Sequence, residues 1–303
     1  MPSPVSLPKS GIFPALWLPT DREGRLMESA IRGHAAYLNR CGAHGLMVLG
    51  TTGEFPYFSA DERADLLSRV AEWVAPLPVM ANISDISPRV VVRLARVARD
   101  SGCASVAILP PWYFQISQPD LLEFFLHAAE AASPLPVFLY NFPERVGNPI
   151  LPETVAAFAD RAPIAGIKLS GGAWDLHATM MSLARERGFG VLTGWDVRLT
   201  DAMALGCSGC ISGLSNFTVE PLVAAFRAMQ SGDRPTADRA MAELRETAAG
   251  LEGLSFPHDI PAGMEARGFV TGEPKQILSA STLAARQAVT TRLRSRFQKL
   301  GLA

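Results

Sequence analysis

One lysine is conspicuous by its surroundings. Lys168 follows Ile164, Ala165, Gly166 and Ile167 in an apolar run. An ammonium held there is stripped of water, which favours the neutral amine, a nucleophile for a carbonyl carbon. The alternative is a lysine with a buried stem whose head reaches solvent. Tyr140 ends another apolar run, and a phenol at such an end can move protons if a relay serves it. The hydroxyls of Thr51 and Thr52 both donate and accept and could supply that relay; otherwise Tyr140 is a core aromatic and the threonines cap a turn. Gly50 and Gly53 flank the threonine pair and suit a tight loop or the close approach of a ligand to the backbone. Arg145 follows a proline-containing turn after Tyr140. It is either a bidentate carboxylate binder or a surface arginine in an ion pair. Asp196, beside Trp195, either binds hydroxyls or caps a helix starting near Val197.

Other chemistries lack their residues. The five histidines form no spaced cluster, and no HExxH, GxGxxG, GxxxxGK[ST] or GxSxG occurs. The reading is therefore no metal, no dinucleotide and no nucleoside triphosphate. Cys207 and Cys210 are spaced like half of a redox or zinc site, but no second pair accompanies them, so they read as small buried thiols. A net charge of -1 offers no basic excess for phosphates, so no nucleic acid is expected. No apolar run approaches the roughly 18 residues of a membrane span, and no signal peptide opens the chain. With four cysteines, this points to the cytoplasm.

The elements that must position these residues alternate. Short apolar runs cover 12–18, 45–50, 78–82, 105–109, 136–140, 164–169, 190–193 and 209–212. They are continuous rather than alternating, as in parallel strands covered on both faces. Between them lie helical patterns. Ser59 and Glu62 form a capping box opening a helix toward Trp73. Pro88 follows Ser87 at a first helical position, with Val90, Leu94, Val97 and Ala98 at helical spacing. Leu121, Leu122, Phe125, Ala128 and Ala129 form another stripe. Eight such units predict an α/β fold, a (β/α)8 TIM barrel over residues 1–218, with a C-terminal helical extension over 219–303. In such a barrel the chemistry comes from the C-terminal ends of the strands, where Thr51, Tyr140, Lys168 and Asp196 all fall.

Three motifs in this order, Gly50-Thr51-Thr52-Gly53-Glu54, Tyr140-Asn141-Phe142-Pro143 and Gly166-Ile167-Lys168, resemble the dihydrodipicolinate synthase and N-acetylneuraminate lyase family of Schiff-base aldolases. The likeness runs from Gly11 to the C-terminal helices. It implies that Lys168 forms an imine with pyruvate or a related 2-oxo acid and that Tyr140 shuttles protons. Thr51 and Thr52 would hold the pyruvyl carboxylate, largely by backbone N–H groups, and Thr52 would link to Tyr140. Tyr113 matches the tyrosine that completes the relay of the neighbouring subunit, so the family's homotetramer, a dimer of dimers, is implied with it. Arg145 matches the arginine that synthases place against the carboxylate of the second substrate. Gly194 and Ile211 fall where backbone carbonyls line the pocket. No cofactor is implied, because the protonated imine is itself the electron sink.

The resemblance has departures. Leu169, Ser170 and Gly171-Gly172 follow Lys168 where synthases usually carry Glu. The first strand ends Leu18-Pro19 rather than Thr-Pro. Val197 stands where neuraminate lyases have a sugar-binding Glu. Trp112, Phe114, Phe142 and Trp195 imply an apolar pocket. The expected activity is that of a 4-hydroxy-tetrahydrodipicolinate synthase-like enzyme condensing pyruvate with an aldehyde that carries a carboxylate. The alternative is a 2-oxo-acid aldolase or dehydratase acting on a sugar-acid-derived or aromatic substrate. A non-catalytic oxo-acid binder would have lost the Lys, Tyr or Thr, and none is lost. A phosphate-binding barrel would need a Gly-rich anion loop where Gly194-Trp195-Asp196 stands.

Overall fold

The computed structural model describes residues 7–302. The eight apolar runs form eight parallel strands: β1 Gly11–Pro14, β2 Leu46–Val48, β3 Val79–Asn82, β4 Ser105–Ile108, β5 Val137–Asn141, β6 Ile164–Leu169, β7 Gly190–Thr193 and β8 Gly209–Ser212. They pair in the order β1-β8-β7-β6-β5-β4-β3-β2. A lone parallel bridge, Ala15 to Met47, closes the ring between β1 and β2. The chain is thus the (β/α)8 barrel, with helices outside and strands buried on both faces, which explains why the apolar runs do not alternate.

The run at 12–18 is regular only as far as Pro14. Beyond it the backbone crosses the seam. Ala15 N donates to Ser212 O and Leu16 N to Met47 O, at 2.8 and 2.9 Å, so neither neighbour holds it in register for long.

The helices follow their local signals. Ser59 caps Ala60–Trp73, taking the N–H of Glu62 while the Glu62 carboxylate takes the N–H of Ser59. The helix Pro88–Asp100 buries Val91, Leu94, Ala95 and Ala98, so its inner stripe lies one residue beyond the expected Val90 and Val97, which flank it. Leu121, Phe125, Ala128 and Ala129 are buried on Gln118–Ala132, with Leu122 at the margin.

The helix Ser215–Ser231 bends at Thr218, where the backbone leaves helical geometry. Pro221 lies within it and has no N–H to give the carbonyl of Phe217 four residues back. The Arg267 guanidinium donates to that carbonyl instead, at 2.8 Å. Helices Arg234–Ala249, Asp259–Ala266 and Ala280–Lys299 follow. Trp17 and Phe217 join Leu251, Ile260, Met264, Val289, Leu293 and Phe297 in a second small core. Through Trp17 and Phe217, this core seats the C-terminal helices against the segments that follow β1 and β8.

Candidate active site

β5 and β6 are hydrogen-bonded neighbours, with Tyr140 opposite Lys168. Both side chains are buried, 1% and 6% exposed. Lys168 Nζ lies 4.2 Å from the centroid of the Tyr140 ring. Among the described residues it meets no carboxylate within ion-pair distance. The Tyr140 hydroxyl reaches Thr51 Oγ1 at 3.1 Å. The expected link from Thr52 to Tyr140 is therefore corrected. The loop turns so that the first threonine faces the tyrosine, while the Thr52 hydroxyl faces Gly213, where a Cβ would stand 3.1 Å from Thr52 Oγ1.

The loop that carries the threonines is bracketed by two residues in left-handed backbone, Leu49 at φ 59° and Glu54 at φ 56°. Side chains disfavour that region by about 1 kcal/mol each, so neighbours must hold the loop there. Buried Asn82 donates to Leu49 O at 2.6 Å, and Ser84 in turn donates to Asn82 Oδ1. Lys275 pairs with Glu54 at 2.9 Å. Burial pushes the Lys275 ammonium below its ordinary value, and Glu54 draws it back up. Gly53 admits no Cβ, because Leu16 O would lie 2.9 Å away. Among the described residues, neither the Thr51 nor the Thr52 N–H donates to a protein acceptor, which leaves two donors at the cavity for an anion.

These groups line a cavity of about 540 Å³, a size suited to a small-molecule site. Of the eight site residues expected from the sequence, seven line it: Thr51, Thr52, Tyr140, Arg145, Lys168, Gly194 and Ile211. A Cβ on Gly194 would collide with Ser170 Oγ and crowd Leu169 O at 3.2 Å, so a side chain there would have to displace Ser170. Arg145 is carried on a one-turn helix, Pro143–Val146, within the segment that Asn141 fixes through paired bonds with Ile150, at 3.0 and 3.1 Å. It is exposed, without an ion-pair partner among the described residues. Its guanidinium carbon lies 5.7 and 5.6 Å from the rings of Phe142 and Phe256. It also lines an adjoining cavity of about 240 Å³ with Phe55, Trp112 and Tyr57. Tyr113 is the exception. It is 84% exposed, at φ 82°, and its ring meets only that of Phe114, edge-on.

Asp196 does not cap a helix. It lines the cavity, takes the Leu214 N–H at 3.5 Å, and burial raises its carboxyl above the usual range. Trp195 Nε1 donates to Gly171 O, and Glu144 accepts from Gly172 N, so the loops after β5, β6 and β7 are laced together above Lys168.

Sequence reasoning missed the contribution of the C-terminal helices. Leu251, Leu254, Phe256, Asp259 and Ile260 close the cavity from that side. Desolvation first, then the neighbouring Asp196, pushes the Asp259 carboxyl up to about 6. Its Oδ1 is buried with no hydrogen-bond partner. The one available signal was an acid in the otherwise apolar stretch Phe256-Pro257-His258-Asp259-Ile260-Pro261. Cys103, Cys207 and Cys210 are buried free thiols, and burial pushes Cys207 up to about 12.

A parallel barrel with a buried lysine opposite a tyrosine, at the strand ends and beneath a cavity, has the architecture of a Schiff-base lyase. The chain matches the dihydrodipicolinate synthetase family over residues 8–295 and belongs to that family, whose members are lyases acting through a Schiff base. It is 32% identical, over 85% of its length and 87% of the relative's, to the 4-hydroxy-tetrahydrodipicolinate synthase of Natronomonas pharaonis. It is 32% identical to the probable 2-dehydro-3-deoxy-D-pentonate aldolase YjhH of Escherichia coli K12, over 75% and 77% of the two chains. Among solved structures it resembles E. coli YagE in complex with pyruvate, at TM-score 0.87 and 27% identity over 97% and 99% of the chains. A monomeric dihydrodipicolinate synthase variant matches at TM-score 0.87 and 28% identity, over 97% of each chain.

Proposed function

We propose that Lys168 attacks the ketone of pyruvate or a close 2-oxo acid, and that the resulting imine is condensed with an aldehyde bearing a carboxylate, as in 4-hydroxy-tetrahydrodipicolinate synthases. The observation that carries this reading is the Lys168–Tyr140–Thr51 contact line at the base of the cavity. The neutral amine adds to C2, giving a carbinolamine. Tyr140 protonates the departing hydroxyl, and water leaves as the iminium forms. Loss of a C3 proton then gives an enamine whose carbon attacks the aldehyde. Thr51 holds the Tyr140 hydroxyl in place and passes its proton on. The free N–H groups of Thr51 and Thr52 receive the carboxylate of the oxo acid. Arg145, unpaired at the rim, receives that of the aldehyde. Gly194 and Ile211, which also line the cavity, would contribute backbone carbonyls to the pocket.

A second reading, cleavage or dehydration of a sugar-acid-derived substrate, is favoured by Asp196 and Asp259. Both are acceptors on the cavity wall and would suit hydroxyls better than a second carboxylate. We propose further that exposed Tyr113 serves the site of a second copy within a homotetramer, its strained backbone holding the ring outward. An acceptor screen with pyruvate tests the choice. Product from aspartate semialdehyde and none from hydroxylated aldehydes supports the first reading. The reverse supports the second.

A further inference from the structure

We propose that Lys275 is a positioning residue that pins the Leu49–Glu54 loop to the end of β1, and so presents Thr51 and Thr52 to the oxo acid. This rests on the reading of that loop as the carboxylate cradle.

The seam of the barrel is its least-paired junction. β1 and β2 share one bridge, whereas β5 and β6 share five paired positions. The threonine loop leaves β2 at this seam, where the ladder gives it least support. It also ends in left-handed Glu54, a conformation that needs an external hold. Lys275 supplies one from 221 residues away. Its ammonium lies 2.9 Å from Glu54 Oε2 and donates to Leu18 O at 2.8 Å, bridging the loop to the chain just past β1. The Trp17 ring covers it at 4.6 Å. The two side chains are 6% and 3% exposed, so water screens the pair little.

The segment carrying Lys275 is itself docked. Trp17 Nε1 donates to Thr271 O and Glu273 N to Thr20 O, both at 2.8 Å. Gly272, at φ 72°, passes so near Thr20 that a Cβ would strike its backbone. Without Lys275, Glu54 would be a buried carboxylate facing no cation, and the loop would open to hydrate it.

Lys275→Met removes the charge while keeping most of the stem. The probe is borohydride trapping of the imine over a range of pyruvate concentrations, read by mass. The half-saturating pyruvate should rise roughly tenfold, with the extent of trapping at saturation unchanged, as for a lost ground-state contact. The double variant Glu54→Gln, Lys275→Met leaves no unpaired charge and should return half-saturation to within about threefold of wild type. An unshifted half-saturation in Lys275→Met overturns the proposal, whether or not the melting temperature falls. Should that variant not fold, Glu54→Gln carries the same test, with the same rise expected and an unshifted value overturning. If wild type forms no adduct with pyruvate, the functional reading fails by itself. The pinning is then judged by hydrogen–deuterium exchange over residues 46–58. Faster exchange in Lys275→Met upholds it, and unchanged exchange overturns it.

Discussion

The β5–β6 wall and the β1–β2 seam hold their halves of the site by different means. On the wall, Tyr140 and Lys168 are paired positions in the stretch of ladder that runs unbroken from Phe138 to Asn141, past a register shift at Val137, so their separation is set by the strand spacing itself. At the seam, the threonine loop springs from a single bridge and is fixed by side chains, Asn82 on Leu49 and Lys275 on Glu54. Covalent chemistry tolerates little movement, and the proposed imine-forming lysine sits where the backbone fixes it. The half proposed to receive a carboxylate is held by contacts from elsewhere in the chain, so loosening it should leave the proposed nucleophile undisturbed.

The largest effects should fall on the wall. Lys168→Ala should abolish turnover, by roughly 10⁴-fold or more in kcat, with the melting temperature little lowered. Tyr140→Phe should lower kcat by about 10²–10³-fold while pyruvate half-saturation changes little, because it removes a proton carrier and leaves the ring against Lys168. Thr51→Val should lower kcat more than Thr52→Val, since only Thr51 touches the Tyr140 hydroxyl; the opposite order would break the relay drawn here.

Effects at the seam should be smaller and of another kind. Asn82→Ala leaves Leu49 O without its buried donor, at a cost of about 1–3 kcal/mol by denaturant titration, and should raise the pyruvate requirement more than it lowers kcat. If Asn82→Ala instead lowers kcat alone, the two halves are not separable in this way.

The smallest effect concerns the cavity wall supplied by the C-terminal helices. Between the ordinary carboxyl value and about 6, the folded chain keeps a proton on Asp259 that the unfolded chain has released. Stability therefore falls as pH rises through that window, and above it the deficit is constant. Asp259→Asn should remove this slope and stabilise the protein at pH 7–8 by up to about 2 kcal/mol, read by thermal melts at graded pH.

Much of this was legible in the chain because parallel strands and their ends leave strong marks. Runs such as 164–169 and 190–193 match the strands residue for residue, since burial on both faces leaves few polar positions, and these fall at or near the strand ends. Lys168 was visible as a charge inside such a run. What escaped depends on tertiary docking. Which threonine faces Tyr140 follows from the turn between Leu49 and Glu54, two left-handed residues that no glycine announces. Asp259, Phe256 and Lys275 lie beyond the last strand, where helical periodicity alone describes packing and says nothing of the cavity that the helices close. The one-residue offset of the Val91 stripe has a similar origin: Val90 and Val97 are apolar too, and only the seat on the barrel separates core from margin.

The central claim is that Lys168 is the imine-forming amine. Protein mixed with pyruvate and borohydride, digested and read by mass, tests it in one step. The account predicts the reduced pyruvyl adduct on the peptide containing Lys168, and none in Lys168→Ala. No adduct on the wild-type chain, or one that persists in Lys168→Ala, would contradict it.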